Sequence, residues 1–163
     1  MTIAPLTIDH WAQVKAIYES GIAIGNATFQ TTSPGWQEWD DSHIKTSRIV
    51  LIDGDAVLGW AALTPVSGRC VYAGVAEISV YVLPLVQGKG FGKQLLEALI
   101  SQSEQNNTWT LQADIFPENK ASLKIHQDTG FRIIGTREKI GKMNNIWRDT
   151  ILLERRSKII GVN

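Results

Sequence analysis

The stretch Val80-Tyr81-Val82-Leu83-Pro84-Leu85-Val86-Gln87-Gly88-Lys89-Gly90-Phe91-Gly92-Lys93 constrains the chain more than any other. Ala76 to Leu83, rich in β-branched residues, reads as a strand, and Pro84 stops it because proline has no N–H to give a neighbour. Beyond the glycines, Phe91, Leu95, Leu96, Leu99 and Ile100 mark one apolar face of a helix. A strand feeding a glycine turn that opens a helix belongs to an α/β fold. It leaves unpaired N–H groups and the positive end of a helix dipole beside the sheet. Gly90 and Gly92 allow φ > 0 and the close approach of a ligand, while Lys89 and Lys93 add positive charge. The loop is suited to a phosphate.

The rest of the chain surrounds this unit with alternating elements. Trp11, Val14 and Ile17 predict a first helix, capped by Asp9 and stopped at Gly21. A loop follows from Ile22 to Pro34, and Trp36 and Trp39 suggest a short helix. Ile49 to Ile52, the turn Asp53-Gly54-Asp55, and Val57 to Leu63 form a β-hairpin pattern. Trp109 to Phe116 reads as a strand, Asn119 caps a helix that runs to Thr129 and stops at Gly130, and Phe131 to Gly135 and Trp147 to Leu153 are the last strands. We expect a single domain over residues 1–163, a length able to bury its own core.

Composition narrows the function. Sixteen basic and sixteen acidic residues cancel, so nothing suggests a nucleic-acid partner. No apolar run approaches a membrane helix, and Met1 to Trp11 lacks a signal-peptide pattern, so no membrane is expected and the cytoplasm is the expected location. The single Cys70 can form neither an intrachain disulfide nor a zinc cluster, and no metal is expected.

The glycine loop lacks the spacing of a Walker A motif, because Gln87 stands where the first glycine should be and Gln94 follows Lys93. It also lacks the dinucleotide fingerprint, because Lys93 occupies the third glycine position. Gln87-x-x-Gly90-x-Gly92 after a strand and before a helix resembles the acetyl-CoA loop of the GNAT N-acetyltransferases. Asn119-Lys120-Ala121-Ser122 and His126-Gln127-Asp128-Thr129-Gly130-Phe131 resemble that family's later block, at a fitting distance. Gly25-Asn26-Ala27-Thr28-Phe29, Glu77-x-Ser79-Val80-Tyr81-Val82, Arg137-Glu138-Lys139 and Trp147-Arg148-Asp149 narrow the likeness to the phosphinothricin and methionine sulfoximine or sulfone branch, over roughly Ile22 to Glu154.

The resemblance implies a mixed, mostly antiparallel sheet flanked by helices, with splayed central strands. It implies acetyl-CoA as donor, a small amino-acid-like amine as acceptor, and a homodimer. Val80, Tyr81 and Val82 would offer a free strand edge to the pantetheine arm, and the Val82 N–H would polarise the thioester carbonyl. Gln87, Gly88, Lys89, Gly90, Phe91, Gly92 and Lys93 would hold the pyrophosphate. Asn119 and Ser122 would contact the arm, although Asn119 reads equally as a helix cap.

Glu77 falls at the branch's position for the base that takes the amine's proton, although by pattern alone it is also a solvated strand residue. His126 would protonate or orient the departing thiolate, or is a surface residue. Phe29, Tyr72 and Glu77 would bind the amine. Many branch members carry Arg where this chain has Ala73, with Arg69 further back, so weakened phosphinothricin turnover is expected. Nothing local marks Cys70 as an acyl carrier. His10 and His43 read as surface residues, and the six tryptophans as core and interface rather than ligand cages. Two other readings stay open: a GNAT enzyme acting on a protein or peptide amine, and an acetyl-CoA-binding module without catalysis, which a Glu77 buried in a salt bridge would favour.

Overall fold

The computed structural model describes all residues, Met1–Asn163. The strands are β1 Thr2–Pro5, β2 Ile49–Asp53, β3 Ala56–Pro65, β4 Val75–Val82, β5 Thr110–Ile115, β6 Arg132–Met143 and β7 Ile146–Arg156. The helices are α1 Trp11–Ile24, α2 Trp36–Ser42, α3 Phe91–Gln105 and α4 Lys120–Asp128. One seven-stranded sheet runs in the order β1-β2-β3-β4-β5-β7-β6. Every pairing is antiparallel except β4 with β5. This is the mixed, mostly antiparallel sheet that the resemblance implies.

Alternation along the strands sorts side chains between two layers. Ile49, Leu51, Ala61, Leu63, Ala76, Ile78, Leu111, Ala113, Ile115 and Leu153 join Leu95, Leu96, Leu99 and Ile100 of α3 in one core. Each of those α3 side chains is worth about 1.5–3 kcal/mol for leaving water. On the other face Val50, Val57, Trp60 and Ala62 meet Val14 and Ile17 of α1 and Trp39 of α2. There Trp39 lies edge-on to Trp60 at 5.7 Å, and Trp60 stacks on Tyr81 at 4.9 Å. The aromatic column fixes Tyr81, and with it the second half of β4.

The parallel pair is short. Only Val75, Ala76 and Glu77 of β4 oppose Thr110, Leu111 and Gln112 of β5. Beyond that point β4 stays with β3 as far as Gly59↔Val82, while β5 continues along β7. The two central strands therefore part below Glu77, and the residues after it have no strand on that side.

Several sequence expectations need correction. Gly21 does not stop α1, which runs to Ile24 and ends at Gly25 with φ 84°. A Cβ on Gly21 would stand 2.8 Å from the Tyr81 ring, so the glycine lets α1 lie against β4. The helix begins at Trp11 behind a 3₁₀ turn, Ile8–His10, in which His10 Nδ1 accepts from the Thr7 N–H at 3.1 Å, so Asp9 is not its cap. His43 is half-buried, its ring stacked on Trp39 at 4.0 Å. The last two strands form a far longer hairpin than expected, closed by Asn144 and Asn145, both at positive φ.

Candidate active site

Two cavities meet where β4 and β5 part. The larger, about 640 Å³, runs along Val80 to Val82, the glycine loop and the start of α4. The smaller, about 220 Å³, lies towards Glu77 and Asp114. Ala27, Val80, Tyr81, Asn119 and Ser122 line both.

The backbone gives the larger cavity its character. The Leu83 N–H donates to the Leu58 carbonyl of β3 at 2.8 Å. Alternation then turns the Val82 and Val80 N–H groups the other way, into the gap beside β5. The Gln87 side-chain amide reaches the Val82 carbonyl at 3.4 Å, leaving the Val82 N–H as the available donor. Gly88 and Gly90 hold φ of 79° and 84°, with open space where a Cβ would be. Gly90 is the N-cap of α3, so the N–H groups of its first turn point into the loop. A free strand edge, a glycine turn and a helix N-terminus along one cavity fit a pantetheine arm ending in a pyrophosphate.

The residues named from the sequence divide. Val80, Tyr81, Val82, Gln87, Gly88, Gly90, Phe91, Gly92, Lys93, Asn119 and Ser122 line the larger cavity; Lys89 does not. Gly92 has no positive φ. A Cβ there would meet Ile125 Cδ1 at 3.3 Å and Val82 Cγ2 at 3.6 Å, so this glycine lets α3, α4 and β4 approach one another. Asn119 is the α4 cap: its Oδ1 accepts from the Ser122 N–H at 3.2 Å, and its Nδ2 donates to the Asn26 carbonyl at 3.2 Å. Its amide ties the Asn26 loop to α4.

The smaller cavity is built from side chains. Register places Glu77 beside Gln112, with Asp114 two residues along the same face of β5. Glu77 is half-buried, lines the cavity and makes no salt bridge. Burial first, and then the neighbouring Asp114 charge, hold its carboxyl above the ordinary glutamate range; Gln112 and Arg137 oppose them.

His126 is buried with its ring edge-on to Phe131 at 4.9 Å. Its Nδ1 donates to the Ser122 carbonyl at 2.7 Å, so Nε2 carries the lone pair. Burial lowers its pKa, and the ring stands neutral as a hydrogen-bond acceptor.

Phe29 enters from the loop after α1, edge-on to Phe116 at 4.8 Å and pressed against Gly141, where a Cβ would come within 2.8 Å of its ring. Arg148, over the Phe116 ring at 4.0 Å, donates to the Gly25 carbonyl, Asn26 Oδ1 and Glu118 Oε2, strapping the two wall loops together.

Tyr72 and Ala73 line neither cavity. Tyr72 is exposed with the Arg69 guanidinium over its ring at 5.6 Å. Cys70 is exposed nearby, also outside both linings. Asp114 and Thr150, by contrast, line the smaller cavity although no motif announced them. Their shared face becomes visible only once β5 and β7 are in register.

Known proteins resemble this chain in sequence and in fold. Residues 13–131 match the acetyltransferase (GNAT) family. An L-methionine sulfoximine/L-methionine sulfone acetyltransferase of Pseudomonas paraeruginosa is 31% identical over 150 residues, covering 86% of each chain. A phosphinothricin N-acetyltransferase of Alcaligenes faecalis is 28% identical over 94% of this chain and 81% of its own. The crystal structure of a phosphinothricin acetyltransferase from Sinorhizobium meliloti in complex with acetyl-CoA superposes with a TM-score of 0.85 at 25% identity, over 95% of this chain and 87% of that one. The chain belongs to the acetyltransferase (GNAT) family of acyltransferases.

Proposed function

We infer that the protein moves an acetyl group from acetyl-CoA to the amino group of a small amino-acid-like acceptor of the phosphinothricin or methionine sulfone type. The transfer is direct, within a ternary complex. The observation that carries this reading is the meeting of the two cavities across the free edge of β4, with Glu77 on the smaller side and the Val82 N–H on the larger. The larger cavity takes the donor, whose thioester supplies an activated acyl carbon.

Glu77 takes the proton of the acceptor ammonium, and its raised pKa makes it a stronger base than an exposed glutamate. The Val82 N–H donates to the carbonyl oxygen as negative charge grows there. His126, neutral and with Nε2 free to accept, orients groups in the smaller cavity rather than supplying a proton. A thiol pKa near 8.5 lets the thiolate depart without a dedicated acid. Cys70 lies outside both cavities, which supports direct transfer over an acyl-cysteine relay.

A Glu77 that lines the cavity without a salt bridge favours catalysis over acetyl-CoA binding alone. The homodimer expected by resemblance is supported by Ile133, Ile134, Ile140, Ile146 and Trp147, all exposed on the β6–β7 hairpin.

Thiol release from acetyl-CoA across a panel of amino acids, sulfones, phosphinothricin and lysine peptides tests the reading. Turnover confined to small amino-acid-like amines, with intersecting initial-rate lines, is expected. Turnover of peptides alone, or parallel lines, refutes it.

A further inference from the structure

The smaller cavity presents an electrostatic mismatch. Its lining carries two acids, Glu77 and Asp114, and no lysine or arginine. An α-amino acid places a carboxylate one carbon from its ammonium. The acids suit the ammonium and repel the carboxylate, so a cation must meet it. Arg148 is committed to Gly25, Asn26 and Glu118, and Arg69 covers Tyr72 outside the cavity.

Resting on the function inferred above, the geometry points to Arg137 as the clamp for the acceptor's α-carboxylate, which makes the substrate a free α-amino acid or its close analogue. Arg137 of β6 lies directly opposite Thr150 of β7, and Thr150 lines the cavity. Opposed residues in an antiparallel pair point to the same face. The Arg137 Nη1 donates to Asp114 Oδ2 at 3.1 Å, its one hydrogen bond within the chain, and the side chain is 42% exposed. A guanidinium has five N–H donors in a planar fork, so a bidentate edge remains for an incoming carboxylate.

Two further observations support the placement. Asp114 Oδ1 and Thr150 Oγ1 are buried without hydrogen-bond partners, and both residues line this cavity. Buried polar atoms without partners are uncommon enough to require a reason. A bound amino acid supplies one: its ammonium donates to Glu77 and Asp114 Oδ1, and its carboxylate accepts from Arg137 and the Thr150 hydroxyl. The backbone is also shaped here. The β6–β7 register shifts between Arg137 and Gly141, Lys139 takes φ 48°, and its N–H donates to Asp149 Oδ1 at 2.8 Å. Such a bulge bends a strand and re-aims the side chains beside it. Gly141, at its far end, seats Phe29 of the cavity wall.

The test compares methionine sulfone with its α-carboxamide in the wild-type protein, Arg137→Ala and Arg137→Lys. The wild type should favour the acid in kcat/KM by about 10- to 100-fold, the range for one charge-assisted pair. Arg137→Ala should erase that preference chiefly by raising KM for the acid, while acid and carboxamide share only the smaller change that a lost Arg137 charge beside Glu77 brings. Arg137→Lys should restore part of it. Equal losses for acid and carboxamide would show that Arg137 merely holds Asp114 in place, and equal use of both by the wild type would also overturn the clamp. Calorimetric binding of the same pair in the presence of CoA separates the two readings. If neither compound is acetylated, the inferred function fails, while the clamp stands or falls on whether acid binding alone weakens in Arg137→Ala.

Discussion

The two cavities are neighbours built on opposite plans. The larger is a backbone site. Its features are the outward N–H groups of Val80 and Val82, the left-handed turns at Gly88 and Gly90, and the first turn of α3. The smaller is a side-chain site, to which β4, β5, β7, α4 and the loops holding Phe29 and Phe116 all contribute. A backbone site can recognise a donor common to many enzymes, because it asks of the sequence only glycine and a strand end. A side-chain site can be altered residue by residue, and acceptor choice resides there.

The sharpest separation comes from Glu77→Gln. It should lower kcat/KM by roughly two to four orders of magnitude, the range for a lost general base. Acetyl-CoA affinity, measured by calorimetry, should hardly change. The fold should not suffer. A carboxyl whose folded pKa is raised contributes stability below its unfolded pKa and loses it as pH rises through the folded value, so at pH 7 the ionised Glu77 is the costly form. The variant should melt no lower than the wild type. Near-wild-type rates at neutral pH would remove Glu77 from the chemistry.

Glycine substitutions divide the donor cavity itself. Gly90→Val forces a branched side chain into φ 84° at the mouth of the loop, and acetyl-CoA should bind at least tenfold more weakly to a protein that still folds. Gly92→Ala pushes on Ile125 and Val82 instead, so its main effect should be a lower melting temperature. The reverse pattern would mean that the roles of the two glycines have been exchanged.

These glycines also show what a sequence can disclose. Strand, turn and helix around the loop were legible because each leaves a local mark: β-branched residues, Pro84, glycines, then a helical apolar period. Local marks also misled. Gly21 looks like a helix stop, yet it is there because Tyr81 packs against α1, a contact set by tertiary structure. β1 carries no such mark, being a four-residue strand that ends in proline. The extended β6–β7 hairpin did leave a signal, Asn144-Asn145, a pair that tolerates the positive φ of a two-residue turn. Asp114 and Thr150 left none, and Arg137 stood out only within Arg137-Glu138-Lys139, with no role attached to it. They come together through the register of β5, β7 and β6, which a single sequence does not specify.

Asp114→Asn probes the acceptor side more gently. The Asp114 charge helps raise the Glu77 pKa, and removing it also leaves the Arg137 charge unopposed. Both changes favour ionised Glu77, so the acid limb of the kcat/KM profile should move to lower pH. Movement to higher pH would show that Glu77 is not the group being titrated.

The smallest effect should appear at the junction, where the distinction between the cavities is lost. Asn119 lines both, caps α4 through the Ser122 N–H, and holds the Asn26 carbonyl. Asn119→Ala should cost about 1 kcal/mol of stability, the usual loss for a helix cap. For a chain of this size that is a fall of roughly 2–4 °C in Tm. Because α4 and the Asn26 loop wall both cavities, KM for acetyl-CoA and for the amine should rise together, by a similar small factor. Asn119→Asp separates the two tasks: its carboxylate still accepts from the Ser122 N–H, but it cannot donate to the Asn26 carbonyl. If capping is the main contribution, Asn119→Asp keeps the wild-type melting temperature and both KM values. If the tether to Asn26 matters more, the aspartate variant loses substrate affinity while its stability is retained, and the junction is held by the loop rather than by the helix.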